Sequence, residues 1–190
     1  MSDESEAEKI ILKNGLRHKR ILDVGCGDGR LLIELAKINH LSKLWCVDAY
    51  IQLAIANVER QGFSDRIKCL EAKAENIPLE SHFFDFIYSL RSFHEFSNPV
   101  KALKEIKRLL TPDGEMMIVD WKKGADTGVR ERYYGKNEIQ TFLVQAGYNL
   151  QSVKISEVGR FNIIYTPNFS SRLGETKIIG GVYNFGFKTS

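Results

Sequence analysis

Gly25, Gly27 and Gly29 fall on alternate positions of the stretch DVGCGDG, residues 23 to 29, with Asp23 at its head. Glycines clustered between two apolar runs let a charged or flat ligand come against the main chain, because no Cβ stands in the way. A dinucleotide fingerprint, which rests a pyrophosphate on a helix N-terminus, spaces its glycines G-x-G-x-x-G. Here the spacing is G-x-G-x-G, and Asp23 would set negative charge beside an anion. Both details suit a ligand with a cationic centre and an amino-acid tail better. Cys26 lies inside the turn, where a helix N-terminus lowers a thiol pKa and could make a nucleophile. A small packing residue is the plainer reading. His94 could act as a base near neutral pH, although orienting its loop or meeting solvent explains it equally well. Cys26, Cys46 and Cys69 are too few and too scattered for a paired-cysteine zinc site, and no metal is expected.

Such residues need elements to hold them. RILDV (20–24), KLWCVD (43–48), RIKCLEA (66–72), FFDFIYSL (83–90) and GEMMIVDW (114–121) are short apolar runs that read as strands, the fourth too apolar on both faces for a wet edge. Between them, residues 31–38 carry Leu31, Leu32, Leu35 and Ile38 at helical spacing after Asp28 as N-cap. Residues 50–62 form a second helix closed by Gly62, and 97–114 a third with Asn98 as cap and Pro99 in its first turn. A further helix covers 136–148, and a short one is expected from Ala7 to about Lys13, residues 1 to 6 being frayed. Strands near 150–158 and 161–165 are joined so closely around Gly159 that they should pair antiparallel. Alternation of this kind predicts an α/β fold: a Rossmann-like, doubly wound, seven-stranded, mostly parallel sheet with an antiparallel final strand. Residues 166–190 lie beyond that plan, with Gly180-Gly181 as the turn of a terminal hairpin.

One domain of 190 residues is expected, with 1–14 as its N-terminal segment. Charge is nearly balanced, 27 basic against 24 acidic residues for a net +3, so nothing favours a nucleic-acid partner. The acidic start MSDESEAEKI is unlike a secretory signal, no apolar run is long enough for a membrane span, and a cytoplasmic protein is expected. Lys101, Lys104 and Lys107 share a helical face that reads as solvated surface, and Met116-Met117 as strand core.

LDVGCGDG resembles the first motif of the class I S-adenosylmethionine-dependent methyltransferases, and the likeness continues in order down the chain. Asp48 closes the second strand, KAENIPLE (73–80) resembles the loop that holds the adenine, and FDFIYSLRSFHEFSNP (84–99) and LKEIKRLLTPDGEMMIVDW (103–121) resemble the fourth- and fifth-strand stretches. Together these cover roughly residues 15 to 150, with the closest flavour that of the small ubiquinone/menaquinone-biosynthesis group. The resemblance implies S-adenosyl-L-methionine as cofactor. Gly25 and Gly27 would pass its methionine part, Asp23 would order the polar end, and Asp48 would accept from both ribose hydroxyls. Ala49 would lie beside the adenine, Ala74 would offer it a backbone N–H, and Ser89 would stand near the end of strand four. Lys73 stands where relatives often carry an acid for the adenine amino group; Glu75 or a backbone carbonyl is the substitute expected here.

Methyl transfer to a small-molecule acceptor is the activity implied, with His94 as the candidate base. Arg91, Trp121, Tyr133 and Tyr134 are the candidate acceptor residues. Glu95 stands where relatives often carry a second His, which weakens the assignment of a base. The short stretch before the first strand leaves little for a lid, so the site is either open or closed by a partner subunit in a homodimer. The alternatives are a module that binds S-adenosylmethionine without turnover, a nucleotide-dependent oxidoreductase, or a methyltransferase acting on RNA or protein. SLRS after strand four is unlike the tetrapeptide of enzymes that methylate base amines.

Overall fold

In the computed structural model, which describes residues 3–167, the apolar runs become seven strands and the amphipathic stretches five helices. The order is α1 (Asp3–Gly15), β1 (Arg20–Val24), α2 (Arg30–Ile38), β2 (Lys43–Asp48), α3 (Gln52–Arg60), β3 (Ile67–Glu71), β4 (Phe84–Leu90), α4 (Pro99–Leu109), β5 (Leu110–Trp121), α5 (Lys136–Gln145), β6 (Lys154–Val158) and β7 (Phe161–Thr166). The seven strands join one sheet of order β3-β2-β1-β4-β5-β7-β6. β1 to β5 pair in parallel, while β7 runs antiparallel to both β5 and β6. The predicted sheet is the observed one.

Period-2 alternation along the central strands feeds two cores. Leu22, Ile87, Met116 and Ile118 point to the face covered by α4 and α5, through Leu103, Ile106, Ile139 and Leu143. Ile21, Phe86, Met117 and Val119 point to the other, covered by α1, α2 and α3 through Ile11, Leu32, Leu35 and Val58. β4 is central, between β1 and β5, as its two apolar faces require. Asn98 caps α4 by accepting from the Lys101 N–H, with Pro99 at the first turn.

Several boundaries differ from the sequence reading. α1 begins at Asp3 rather than near Ala7; Ala7 and Ile11 are buried and Glu8 pairs with Arg30 and Arg91, which anchors the helix on the rest of the fold. Gly29, in the left-handed conformation at φ 72°, takes the N-cap position of α2; Asp28 instead accepts from the Arg30 N–H at 3.1 Å. β5 starts at Leu110, directly after α4, and absorbs Thr111 to Gly114 as an irregularity in its pairing with β4. The expected hairpin at Gly180-Gly181 lies outside the described residues. No helix among the described residues is long and apolar enough to cross a membrane.

Candidate active site

Strand order reverses between β1 and β4, and ligands of open parallel sheets bind outside the carboxyl ends of the strands at such a point. A crevice of about 270 Å³ lies there, with Gly25, Asp48, Ala49, Ala74 and Glu75 in its wall. Those are five of the eight residues expected at the cofactor. Ser92, Glu95 and Phe96, from the loop after β4, form the opposite lip. Three carboxylates (Asp48, Glu75, Glu95) face one ammonium (Lys73) across this wall, which suits a cationic ligand and opposes a pyrophosphate.

The glycines have separate reasons. Gly25 sits at φ 76°, and a Cβ there would stand 2.5 Å from Ser92 Cβ. Its bareness lets the loop after β4 close on the turn, a contact that the Ser92 hydroxyl secures by donating to Gly25 O at 2.7 Å. Gly27 is different. At φ 56° it has nothing among the described residues within 4 Å of where a Cβ would be. Its N–H donates to Asp48 Oδ2 at 2.9 Å, and Tyr50 N–H donates to Asp48 Oδ1 at 2.9 Å. The turn thereby holds the carboxylate square to the crevice, and each oxygen keeps a further lone pair for a ligand.

Asp23 and Ser89 are the penultimate residues of β1 and β4 and do not line the crevice. Among the described residues, Asp23 Oδ1, Ser89 Oγ and the Tyr88 hydroxyl are buried without a hydrogen bond of ordinary geometry, although Tyr88 lies close enough to Asp23 to act on its carboxyl. Such atoms are costly unless something satisfies them. Burial pushes the Asp23 carboxyl up to about 8; nearby Tyr88 opposes the rise, and the charges of Asp48 and Asp28 add to it. Glu75 uses Oε1 to accept from the Asn98 N–H at 2.8 Å. Cys26 has Cys46 beside it, which lowers its pKa, but burial and the charges of Asp23 and Asp48 outweigh that and the net direction is up. A raised thiol pKa goes with a packing role rather than with an activated thiolate.

Beyond the lip, His94 is anchored to the end of β5. Its Nδ1 lies 2.8 Å from Asp120 Oδ1, and its backbone N–H donates to Asp120 Oδ2 at 2.7 Å. Trp121 N–H also donates to Oδ1, so Asp120 receives three N–H groups and the imidazole carries its proton at Nδ1. The imidazole is only 4% exposed. Nε2 faces Glu131 Oε2 at 3.1 Å and Glu95 Oε1 at 3.7 Å. Burial disfavours the imidazolium, but the Asp120 bond and the charges of Asp120, Glu95 and Glu131 outweigh it, so the His94 pKa is raised.

Of the expected acceptor residues, Tyr133 sets its ring edge on His94, with centroids 4.9 Å apart, and donates its hydroxyl to Glu131. Trp121 stacks on Phe161 at 4.3 Å and tilts toward Tyr133. Arg91 reaches Glu8 of α1. Tyr134 is a core residue instead, buried between Phe93 and Phe142 with its carbonyl accepting from Asn162. Ser92, Asp120 and Glu131 were missed. Asp120 was open to discovery as a polar residue ending an apolar strand, whereas nothing local marks Glu131.

A sequence profile described as a methyltransferase domain matches residues 22–118, about half of the chain. The chain belongs to this family, the class I S-adenosylmethionine-dependent methyltransferases. The sterol 4-C-methyltransferase strm-1 of Caenorhabditis elegans is 30% identical over 121 residues, 63% of this chain and 35% of that protein. The malonyl-[acyl-carrier protein] O-methyltransferase of Geobacter sulfurreducens is 25% identical over 189 residues, 90% of this chain and 69% of that protein. The chain thus spans about a third of the sterol enzyme's length. Among solved structures, a SAM dependent methyltransferase from Aquifex aeolicus superposes with a TM-score of 0.70 at 28% identity, covering 87% of this chain and 98% of that one.

Proposed function

We propose that the protein transfers a methyl group from S-adenosyl-L-methionine to a small-molecule acceptor. The observation that carries this reading is the acidic crevice at the switch point, together with the buried Asp23, Tyr88 and Ser89 side chains left without a hydrogen bond of ordinary geometry among the described residues near the adjoining strand ends. These residues fit that cofactor: Asp48 is a bidentate acceptor for a sugar diol, and the buried Asp23 lies within reach of a cationic amino-acid end. When bound, the cofactor supplies an electrophilic methyl on a positively charged sulfur.

This chain's own residues then have distinct tasks. Asp48, held by the Gly27 and Tyr50 N–H groups, takes the ribose, while Ala49 and Ala74 flank the adenine and Glu75 or a backbone carbonyl accepts from it. Gly25 and Gly27 let the methionine part run along the turn. Ser89 Oγ has a hydrogen bond to offer. On the acceptor side, His94 Nε2, Tyr133 and Trp121 form the wall past the Glu95 lip, while Arg91 pairs with Glu8 of α1. Alignment and exclusion of water are the main requirements of a direct displacement, which needs no covalent intermediate on the protein. Acceptors differ among the relatives, a sterol in one and malonyl-acyl-carrier protein in another, so a small molecule with an apolar part rests on the aromatic wall here.

Titration calorimetry with S-adenosylmethionine, S-adenosylhomocysteine and NAD tests the reading. Saturable binding of the first two and none of NAD is expected. Binding of NAD alone would overturn it, and cofactor binding without methyl release across a broad acceptor panel would favour a binding module.

A further inference from the structure

With Nδ1–H tied to Asp120, a neutral His94 presents a lone pair at Nε2. Glu131 Oε2 and Glu95 Oε1, which face it, are acceptors as well. The three ligand atoms all lie within 4.8 Å of one another. Lone pairs gathered so closely repel unless a proton or a metal cation stands among them.

We propose that His94 Nε2, Glu95 and Glu131 bind a divalent transition-metal ion at the lip of the cofactor crevice. The 3.1 and 3.7 Å separations from Nε2 suit donor atoms that each sit about 2.0–2.2 Å from a shared ion. Asp120 supplies what metal-binding imidazoles usually have behind them, a carboxylate on the other ring nitrogen that fixes tautomer and orientation. It belongs to a different element from all three ligands, and its own side chain is 6% exposed. Tyr133 does the same for Glu131, donating its hydroxyl to Oε2 at 2.8 Å and meeting Thr127 Oγ1 at 2.8 Å. The two glutamates are more open, 67% and 40% exposed, so they have room to close on an ion that the fixed imidazole anchors.

One nitrogen and two oxygen donors suit Zn²⁺, Mn²⁺, Fe²⁺ or Co²⁺, and three protein ligands leave coordination positions open. Glu95 also belongs to the crevice wall, so the open positions lie between the cofactor place and the aromatic wall. Resting on the methyl-transfer reading, this makes the acceptor an oxygen ligand, a hydroxyl or enol whose pKa falls on coordination. His94 is then a ligand and not a base. Read alone, the sequence offers no metal spacing, since residues 94, 95 and 131 meet only in the fold.

Cobalt titration of the chelator-treated protein, without cofactor, reads the site through visible absorption, with Zn²⁺ calorimetry beside it. One Co²⁺ per chain is expected, with Zn²⁺ raising the thermal midpoint. Glu95→Gln and Glu131→Gln, which keep shape and remove charge, should each weaken binding by at least ~10-fold. No saturable Co²⁺ signal would mean that a proton on Nε2 holds the cluster as an imidazolium–carboxylate pair, and would overturn the proposal. Binding of wild-type strength in both variants would overturn it too. Because no cofactor enters this titration, its failure leaves the cofactor crevice standing, and failure of cofactor binding leaves the metal site standing.

Discussion

Asp48 accepts from the Gly27 and Tyr50 N–H groups and still has lone pairs for a ligand, so its removal affects both the turn and the cofactor. Asp48→Ala should weaken S-adenosylmethionine binding by about 1–3 kcal/mol, the usual loss when buried donors lose an acceptor. Asp48→Asn keeps one oxygen and should fall between. Calorimetric affinity for all three proteins checks the order, and equal affinities would remove Asp48 from the ribose. Asp23 makes a second prediction. Its pKa of about 8 against an ordinary 3.8 means the folded chain keeps a proton that the unfolded chain has lost. Native protein binds more protons than unfolded across that window, so this residue's contribution to stability is full below about pH 4 and declines as pH rises toward about 8. Asp23→Asn should flatten that part of the slope in urea unfolding at pH 5 and 7.5. A cationic ligand favours the carboxylate, so cofactor binding at pH 7 should release up to about one proton. Titrations in buffers of different ionisation enthalpy would see that release in the wild type and lose it in Asp23→Asn.

Between elements, the turn after β1 and the loop after β4 are two halves of one clamp. Gly25→Ala introduces both a strained φ and a Cβ 2.5 Å from Ser92 Cβ, while Gly27→Ala introduces only the strain. Gly25→Ala should therefore be the more destabilising, by ~2 kcal/mol or more against ~1 for Gly27→Ala. Adding Ser92→Gly should recover part of the loss at Gly25 alone. Denaturant midpoints of the four proteins decide this, and equal losses at both glycines would contradict the clamp. The two glycines look alike as letters because what distinguishes them is a loop 67 residues away in the chain. The same reason hid Asp120 and Glu131, whose meeting with His94 depends on β5 lying beside β4. Tyr133 and Tyr134 part company because neighbouring residues point to opposite sides, one to His94 and the other to Phe93 and Phe142.

At the scale of the molecule, the strand pattern was legible because branched apolar runs alternate with amphipathic helices, which leaves few topologies. Helix ends were less so. α1 is held by the burial of Ala7 and Ile11, a tertiary contact that local propensity does not encode. Ile11→Ala should cost about 2–5 kcal/mol, as for any fully buried aliphatic, whereas Glu8→Ala, whose partner Arg30 is 47% exposed, should cost ~1 kcal/mol or less. Thermal and urea unfolding of the pair would show whether α1 is held by burial or by charge. The fold in turn exists, for function, to bring the ends of β1, β2 and β4 to one crevice. A crystal of the protein soaked with S-adenosylhomocysteine examines that convergence most directly. Density with the ribose on Asp48, the adenine beside Ala49 and Ala74 and the amino-acid end above Asp23 is the result expected. An empty crevice at saturating ligand, or a ribose turned away from Asp48, would contradict it.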